Sequence, residues 1–392
     1  MASLIRDRMA SSPEMLAVFG DESLMRAALA FEAALAQAEA AEELIPECVA
    51  SLITGVCAEV PADIDGLAAE AARAGTLAIA LLKRLRARLG ENTAAAKALH
   101  LGATSQDLAD TALMLQVKAG LDLIERDMTE AALAVERLAE QHAATPMLGR
   151  TLLQPAMPIT FGLKAVGWLL GLEGALDRLS RERADALVVQ LGGGVGALTG
   201  LGGKGMAVAE RVARTLGLAC PILPWHARRE RIAGLAAALA ITCGALGKIA
   251  KDIALMAQAE VAEAFEPRIP GRGNSSAIPN KNNPTGCQVA LSASLRAPGL
   301  AATIIAALPQ EHERAIGGWQ AEGPVLAELF EVVHGALAAM LPVLAGLTVD
   351  TDRMAANLTA AGVGTDTGES VTLVRSALDR SRTTRSLRPG SG

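Results

Sequence analysis

The 392-residue sequence has no tyrosine at all, and with five Phe and three Trp its aromatics amount to only 2%. Aromatic and β-branched side chains are the main strand formers, so this shortage argues against an all-β architecture. The apolar share is nevertheless 51%, which excludes intrinsic disorder. It has to be carried by Ala, Leu, Val and Ile, a composition suited to closely packed helices. Positive charge is also in deficit: 36 Lys and Arg against 42 Asp and Glu leave a net charge of −6, with no basic stripe to suggest a nucleic-acid partner. Cysteine is sparse and scattered (Cys48, Cys57, Cys220, Cys243, Cys287), without a CxxC or a Cys/His cluster. That pattern suggests reduced thiols in a cytoplasm, not a disulfide framework. No HExxH or paired-His spacing suggests a metal site. The uncharged runs 186–203 and 232–247 are glycine-rich or short for a membrane span, and the first ten residues lack the apolar core of a signal peptide. A soluble cytoplasmic protein with no membrane partner is expected.

Apolar residues recur at helical spacing over residues 24–44, stopping at Ile45-Pro46 because proline cannot continue a helix. The same pattern predicts helices over 64–89, 111–142 and 161–186. The longest runs over 228–265, with Ile232, Leu235, Leu239, Ile249, Ile253 and Met256 on apolar rows. Helices of this length are normally held in a bundle. Residues 235–246 are apolar nearly all round and should be buried on most sides. Residues 381–392 are basic, polar and end in Gly and Pro, and a disordered tail is expected there.

Four loops have compositions that could carry chemistry. In His100-Leu-Gly-Ala-Thr-Ser-Gln-Asp107 the hydroxyls either cap a helix or face a carboxylate at the helix start. Gly149-Arg-Thr-Leu-Leu-Gln-Pro-Ala-Met-Pro158 reads as a proline-bounded helix entry with an exposed arginine, or as an Arg and a Gln placed to hold a carboxylate. Gly273-Asn-Ser-Ser-Ala-Ile-Pro-Asn-Lys-Asn-Asn-Pro284 is either a linker or a mobile catalytic loop between long helices. Gln310-Glu-His-Glu-Arg-Ala-Ile-Gly-Gly-Trp-Gln-Ala-Glu322 combines surface charge with a tryptophan. The glycine-rich stretch 192–205 lacks a preceding strand and a GxxxxGK[ST] match, so it is not a phosphate loop.

Together these segments resemble the fumarase/aspartase superfamily of all-helical lyases. The third loop is similar to its Gly-Ser-Ser-x-Met-Pro-x-Lys-x-Asn-Pro signature, the first to its Thr-Ser-x-Asp segment and the second to its Gln-x-Ala-x-Pro segment, in the same order over residues 10–360. Within the superfamily, Gly-Ala-Thr-Ser-Gln-Asp, Gly-Arg-Thr-Leu-Leu-Gln and Glu-Arg-Ala-Ile-Gly-Gly-Trp-Gln-Ala-Glu look most like its cycloisomerases, which close a 3-carboxylated cis,cis-muconate to a lactone in aromatic degradation. The resemblance implies an all-α, three-domain fold with a long central helical bundle. Its parts would be an N-terminal helical domain (1–105), the bundle with catalytic loop 266–284 (106–348), and a reduced C-terminal segment (349–392). It further implies a homotetramer with active sites shared among three subunits, a small muconate polyanion as partner, and neither metal nor organic cofactor.

Lactone formation adds a carboxylate oxygen across a C=C bond and places a proton on the carbon beside another carboxylate. The difficult species is a doubly charged aci-carboxylate, which needs cations and N–H donors aimed at it. By resemblance, Ser275 moves the proton, and Lys281 and Asn283 bind the activating carboxylate. His100, Thr104, Ser105, Arg150, Thr151, Gln154 and Ser276 match substrate-binding positions, and Arg314 is a further carboxylate-binding candidate. Leu152 stands where many superfamily lyases have histidine. An amine leaving group needs a proton from that position, but a carboxylate released on lactone opening (conjugate acid of pKa about 4) does not, which favours lactone chemistry. The cycloisomerase loop usually reads Gly-Ser-Ser-Ala-Met-Pro-His-Lys-Arg-Asn-Pro, whereas here Asn274, Ile278, Asn280 and Asn282 depart from it. The less cationic loop is compatible with a different 3-substituent such as sulfonate, or with lowered activity. The alternatives are a 3-sulfomuconate cycloisomerase, a C–N lyase of the superfamily, and a non-catalytic helical scaffold.

Overall fold

The computed structural model describes residues 4–278 and 281–386. Two short helices, α1 (Leu4–Ala10) and α2 (Pro13–Val18), lead into α3 (Asp21–Ala41). Four more, α4 (Glu47–Cys57), α5 (Ile64–Ala74), α6 (Leu77–Leu89) and α7 (Thr93–Ala98), complete the N-terminal part. The helix predicted over 64–89 is two: Gly75 takes a left-handed φ of 74°, and the Thr76 hydroxyl then accepts the Ala78 N–H to start the second. The 37-residue α8 (Ser105–Gln141) follows, then a hairpin of β1 (Pro146–Thr151) and β2 (Gln154–Thr160), and α9 (Phe161–Ala186), which begins and ends where its periodicity predicts.

The glycine-rich segment leads through α10 (Gly205–Leu216) to α11 (Glu230–Met256). This helix stops nine residues short of the predicted Phe265. Ala262 turns into the left-handed region (φ 55°), and β3 (Ala264–Phe265) pairs with a later strand. Beyond the catalytic-loop candidate lie α12 (Thr285–Ala306), α13 (Gly318–Ala345), β4 (Thr348–Val349), α14 (Thr351–Ala361) and α15 (Ser370–Ser386). The long helices α8, α9, α11, α12 and α13 each pack on the next, and α13 returns to α8, closing a five-helix bundle. The all-α class is therefore as expected, with two small antiparallel strand pairs at its margins.

The bundle also corrects two readings. The expected disordered tail is helical up to Ser386: Ser381 is buried, and Arg382 and Arg385 pair with Glu136 of α8. Residues 387–392 lie outside the described residues. Glu230–Met256, Thr285–Ala306 and Gly318–Ala345 are each long and apolar enough to cross a membrane, so the short uncharged runs understated their hydropathy. Here they pack mainly on one another.

At one end of the bundle Arg229 is buried, an arrangement that is costly unless the charge is fully paired. Its Nη1 and Nη2 donate to Asp110 (2.8 and 2.9 Å), Nε and Nη2 donate to Glu322 (3.0 and 2.5 Å), and the guanidinium lies 4.6 Å from the Trp225 ring centre. This cluster ties the starts of α8, α11 and α13 together and fixes the loops leading into them.

Candidate active site

The segment 100–107 is held from below by one carboxylate. Asp107 is fully buried and receives N–H groups from Thr104 (2.9 Å), Gly192 (3.0 Å) and Gly193 (2.9 Å), with His226 Nε2 at 2.6 Å as the fourth donor. Gly193 has φ 70°, and a Cβ there would sit 2.8 Å from the Gly102 carbonyl oxygen, so the glycine-rich stretch serves as close-fitting backbone against the first loop. His100 has a left-handed φ of 67°, and its Nδ1 lies 2.6 Å from the buried Glu32 carboxylate. Strained conformations of this kind are kept where the surroundings over-determine them. Arg314 reaches this segment, donating from Nη1 to the Thr104 hydroxyl at 2.6 Å. Ser105 is the first residue of α8.

The second group is the loop before α12. The buried Glu266 carboxylate accepts the Gly286 and Cys287 N–H groups (3.1 and 2.7 Å), anchoring the loop to the helix start, where a carboxylate is favoured. The Asn283 N–H donates to the Gly273 carbonyl (2.7 Å), and Asn274 bridges to Asn282, which closes the loop on itself. Gly273 (φ 75°) sits at this closure, where a Cβ would meet Asn282 and Asn283 at 2.6 Å, whereas Asn274, standing for the usual glycine, needs no left-handed backbone. The Ser275 hydroxyl accepts N–H groups from Ile278 (3.0 Å) and Ala277 (3.3 Å). Such donors favour the anionic form of an oxygen. A cleft of about 560 Å³ opens beside it, with Arg268, Arg272, Lys281 and Asn282 on its wall. Ser276 is exposed next to Ser275. Asn280 lies outside the described residues. A larger hollow of about 810 Å³ between α1, α12 and α13 is lined by none of the predicted site residues.

The third group is the β1–β2 hairpin, where a helix entry was one of the expected readings. Thr151 and Gln154 pair across its tip, and Leu152 (φ 50°, 96% exposed) and Leu153 (φ 64°, 76% exposed) form the turn. Arg150 is tied within the chain: Nη1 and Nη2 both donate to Glu263 at 2.8 Å, and Asn357 donates to the same carboxylate at 2.9 Å, so this arginine pins the hairpin to the residue before β3. Charge pairing of a buried carboxylate outweighs exposure of the arginine.

Within one chain the structure thus brings Thr104 to Arg314 and places Lys281 on the cleft beside Ser275. Among the described residues no hydrogen bond or ion pair joins these two groups to the hairpin tip. Sequence reading missed Glu32, Glu263, His226, Arg268 and Arg272. The two arginines lay within the predicted loop 266–284, but only residues matching the superfamily motif were weighed there. The others act through partners tens of residues or more away, for which no local signal exists.

An all-helical bundle with a helix-start Thr-Ser segment and a closed Ser-Ser loop defines a lyase architecture, and the chain belongs to the lyase family of the fumarase/aspartase superfamily, whose pattern matches residues 7–299. More particularly, it is 48% identical over 353 residues (90% of this chain, 78% of the relative) to a 3-carboxy-cis,cis-muconate cycloisomerase of Bradyrhizobium diazoefficiens. A nitrosuccinate lyase of Streptomyces davaonensis is 41% identical, covering 88% of this chain and 75% of that protein. The crystal structure of 3-carboxy-cis,cis-muconate lactonizing enzyme from Pseudomonas putida superposes with a TM-score of 0.87 at 38% identity, over 98% of this chain and 89% of that one.

Proposed function

We propose that this protein is a 3-carboxy-cis,cis-muconate cycloisomerase, an intramolecular lyase acting as a cytoplasmic homotetramer. The observation that carries the reading is Ser275, its hydroxyl oxygen receiving two backbone N–H groups at the edge of a cleft lined by Arg268, Arg272 and Lys281. The named cycloisomerase relatives supply the substrate.

In the forward direction a substrate carboxylate oxygen forms a C–O bond to one alkene carbon. The π pair moves toward the neighbouring carboxylate, giving the aci-carboxylate. Lys281 and Asn283 face that dianion, and the Ser275 Oγ–H delivers its proton to the carbon beside it. The alkoxide left behind is stabilised by the Ala277 and Ile278 N–H groups until solvent returns a proton. Charge balances: the trianion takes up one proton and becomes a lactone dianion. Each part is electrostatic or proton-transfer catalysis with preorganised donors. Thr104, Ser105 and Arg314 from one segment and Thr151 and Gln154 from the hairpin tip complete the site from neighbouring subunits. Supporting this sharing, the hairpin tip is apolar yet exposed, and only 28% of the most apolar window of α12 is buried within the chain. Large exposed apolar surfaces of this sort mark interfaces. We divide the chain at residues 105 and 348, so that the bundle carries the Ser275 loop.

Loss of diene absorbance from 3-carboxy-cis,cis-muconate measures the activity, with 3-sulfomuconate and nitrosuccinate in parallel. Turnover of the carboxy compound is expected, falling at least about a hundredfold in S275A. Elimination from nitrosuccinate with no diene loss would instead identify a C–N lyase. Diene loss that survives S275A intact would remove Ser275 from the chemistry.

A further inference from the structure

We infer that Arg268 reads the third negative group of the substrate, the substituent on carbon 3. The inference deepens the muconate reading above and rests on it for the identity of that group.

Three cations line the cleft beside Ser275: Arg268, Arg272 and Lys281. Arg272 is already engaged. It donates to the Ala339 carbonyl at 2.6 Å and the Thr285 hydroxyl at 3.4 Å, and lies 3.9 Å from Glu266. Lys281 occupies the motif position for the activating carboxylate. Arg268 is exposed at the cleft and has no hydrogen-bond or ion-pair partner among the described residues. Its planar fork of donors is therefore free for an anion, and that geometry suits a carboxylate in particular.

The backbone beneath it is fixed. Glu266, two residues earlier, is buried and bound to the first N–H groups of α12, Pro267 has its own φ fixed, and Pro270 restricts Ile269. The backbone that presents the charge is thus ordered before an anion arrives. The cycloisomerase loop usually carries an arginine at the position of Asn282, and Asn282 lines the same cleft as Arg268. A cation missing from one wall of the cleft is thus supplied from another. Of the cleft's own cations, Lys281 and Arg268 are the two without a partner among the described residues, and the substituent that separates a 3-carboxymuconate from plain muconate is assigned to the one outside the motif.

The test uses saturated probes that cannot lactonize: butane-1,2,4-tricarboxylate, which is adipate with the 3-carboxyl, and adipate itself. Calorimetric titration of the full-length protein is expected to show preference for the triacid. R268A should erase that preference, weakening the triacid about ten- to a hundredfold while leaving adipate within about twofold. R268K should keep part of the preference, and R268A/N282R should restore it. Thermal melts matching wild type establish that the variants fold, as an exposed position allows. The inference is overturned if wild type shows no preference, if R268A keeps it, or if R268A weakens both probes by the same factor. A triacid preference that depends on Arg268, found together with no diene loss from any muconate, sinks the cycloisomerase reading and leaves Arg268 as part of a tricarboxylate site.

Discussion

Glu39, one heptad after Glu32 on α3, is a fully buried carboxylate without a hydrogen-bond partner for either oxygen among the described residues. Burial, with the nearby Glu32 charge adding to it, pushes its pKa up to about 9. The folded state therefore holds a proton that the unfolded chain releases from about pH 4.5 upward. The stability this group contributes is complete below pH 4.5, falls as pH rises toward 9, and levels off above that. The slope is one proton, roughly 1.4 kcal/mol per pH unit. E39Q mimics the protonated acid, so urea midpoints of that variant should lose this fall between pH 5 and 9; an equally steep fall in E39Q would show that another group is responsible. Arg229 solves the same burial problem the other way, keeping its charge by drawing Asp110 and Glu322 around it. Sequence reading picked out neither residue, because burial is set by what packs against a position and not by the residue itself.

At the level of elements, the hairpin carries the clearest tension between stability and function. Leu152 and Leu153 both adopt left-handed φ values that an Asn-Gly turn takes without strain. Each L-residue there costs roughly 1–2 kcal/mol. L152N/L153G is expected to raise the melting temperature by a few degrees while lowering kcat/KM at least about fivefold, because the tip is assigned to a neighbouring subunit's site. Calorimetry and the diene assay check both halves, and an unchanged kcat/KM would take the tip out of the site. The hairpin was hard to read in the sequence, since two leucines give no turn signal and the prolines of β2 suggest a helix entry. The partner that holds it, Glu263, is 113 residues from Arg150. By contrast, α9 needed no tertiary help to be found, because its apolar spacing and the Thr160 cap, which accepts the Leu163 N–H at 3.2 Å, are both local.

The whole molecule has more apolar helix surface than one chain covers. Leu295 on α12 is 83% exposed and Ile305 is 46% exposed, on a helix apolar enough to span a membrane. L295E should break the proposed tetramer into smaller species on light scattering and abolish turnover together with it. A tetramer that persists would place the interface elsewhere. Complementation tests the sharing of sites. S275A and Q154A, each inactive alone, should regain about a quarter of wild-type activity when mixed after dissociation, because half the sites draw an intact Ser275 and half of those an intact Gln154. No recovery would mean that both residues of a site come from one subunit.

Helical class and the extent of α9 were legible in the sequence alone, and the Ser275 and Thr104 segments stood out there as candidates. Composition, periodicity and contiguous motifs depend only on neighbours along the chain. Tertiary structure decided what depends on distant partners. It stopped α11 at Met256, ahead of the β3–β4 pairing, and it clasped Arg150 on Glu263. It gave Asp107 its four N–H donors from three separate segments, and it set Arg268, unpaired among the described residues, on the same cleft as Ser275. Each of these is a matter of which charges and N–H groups are brought within about 3 Å of one another, and a linear pattern carries no distance between residues that far apart.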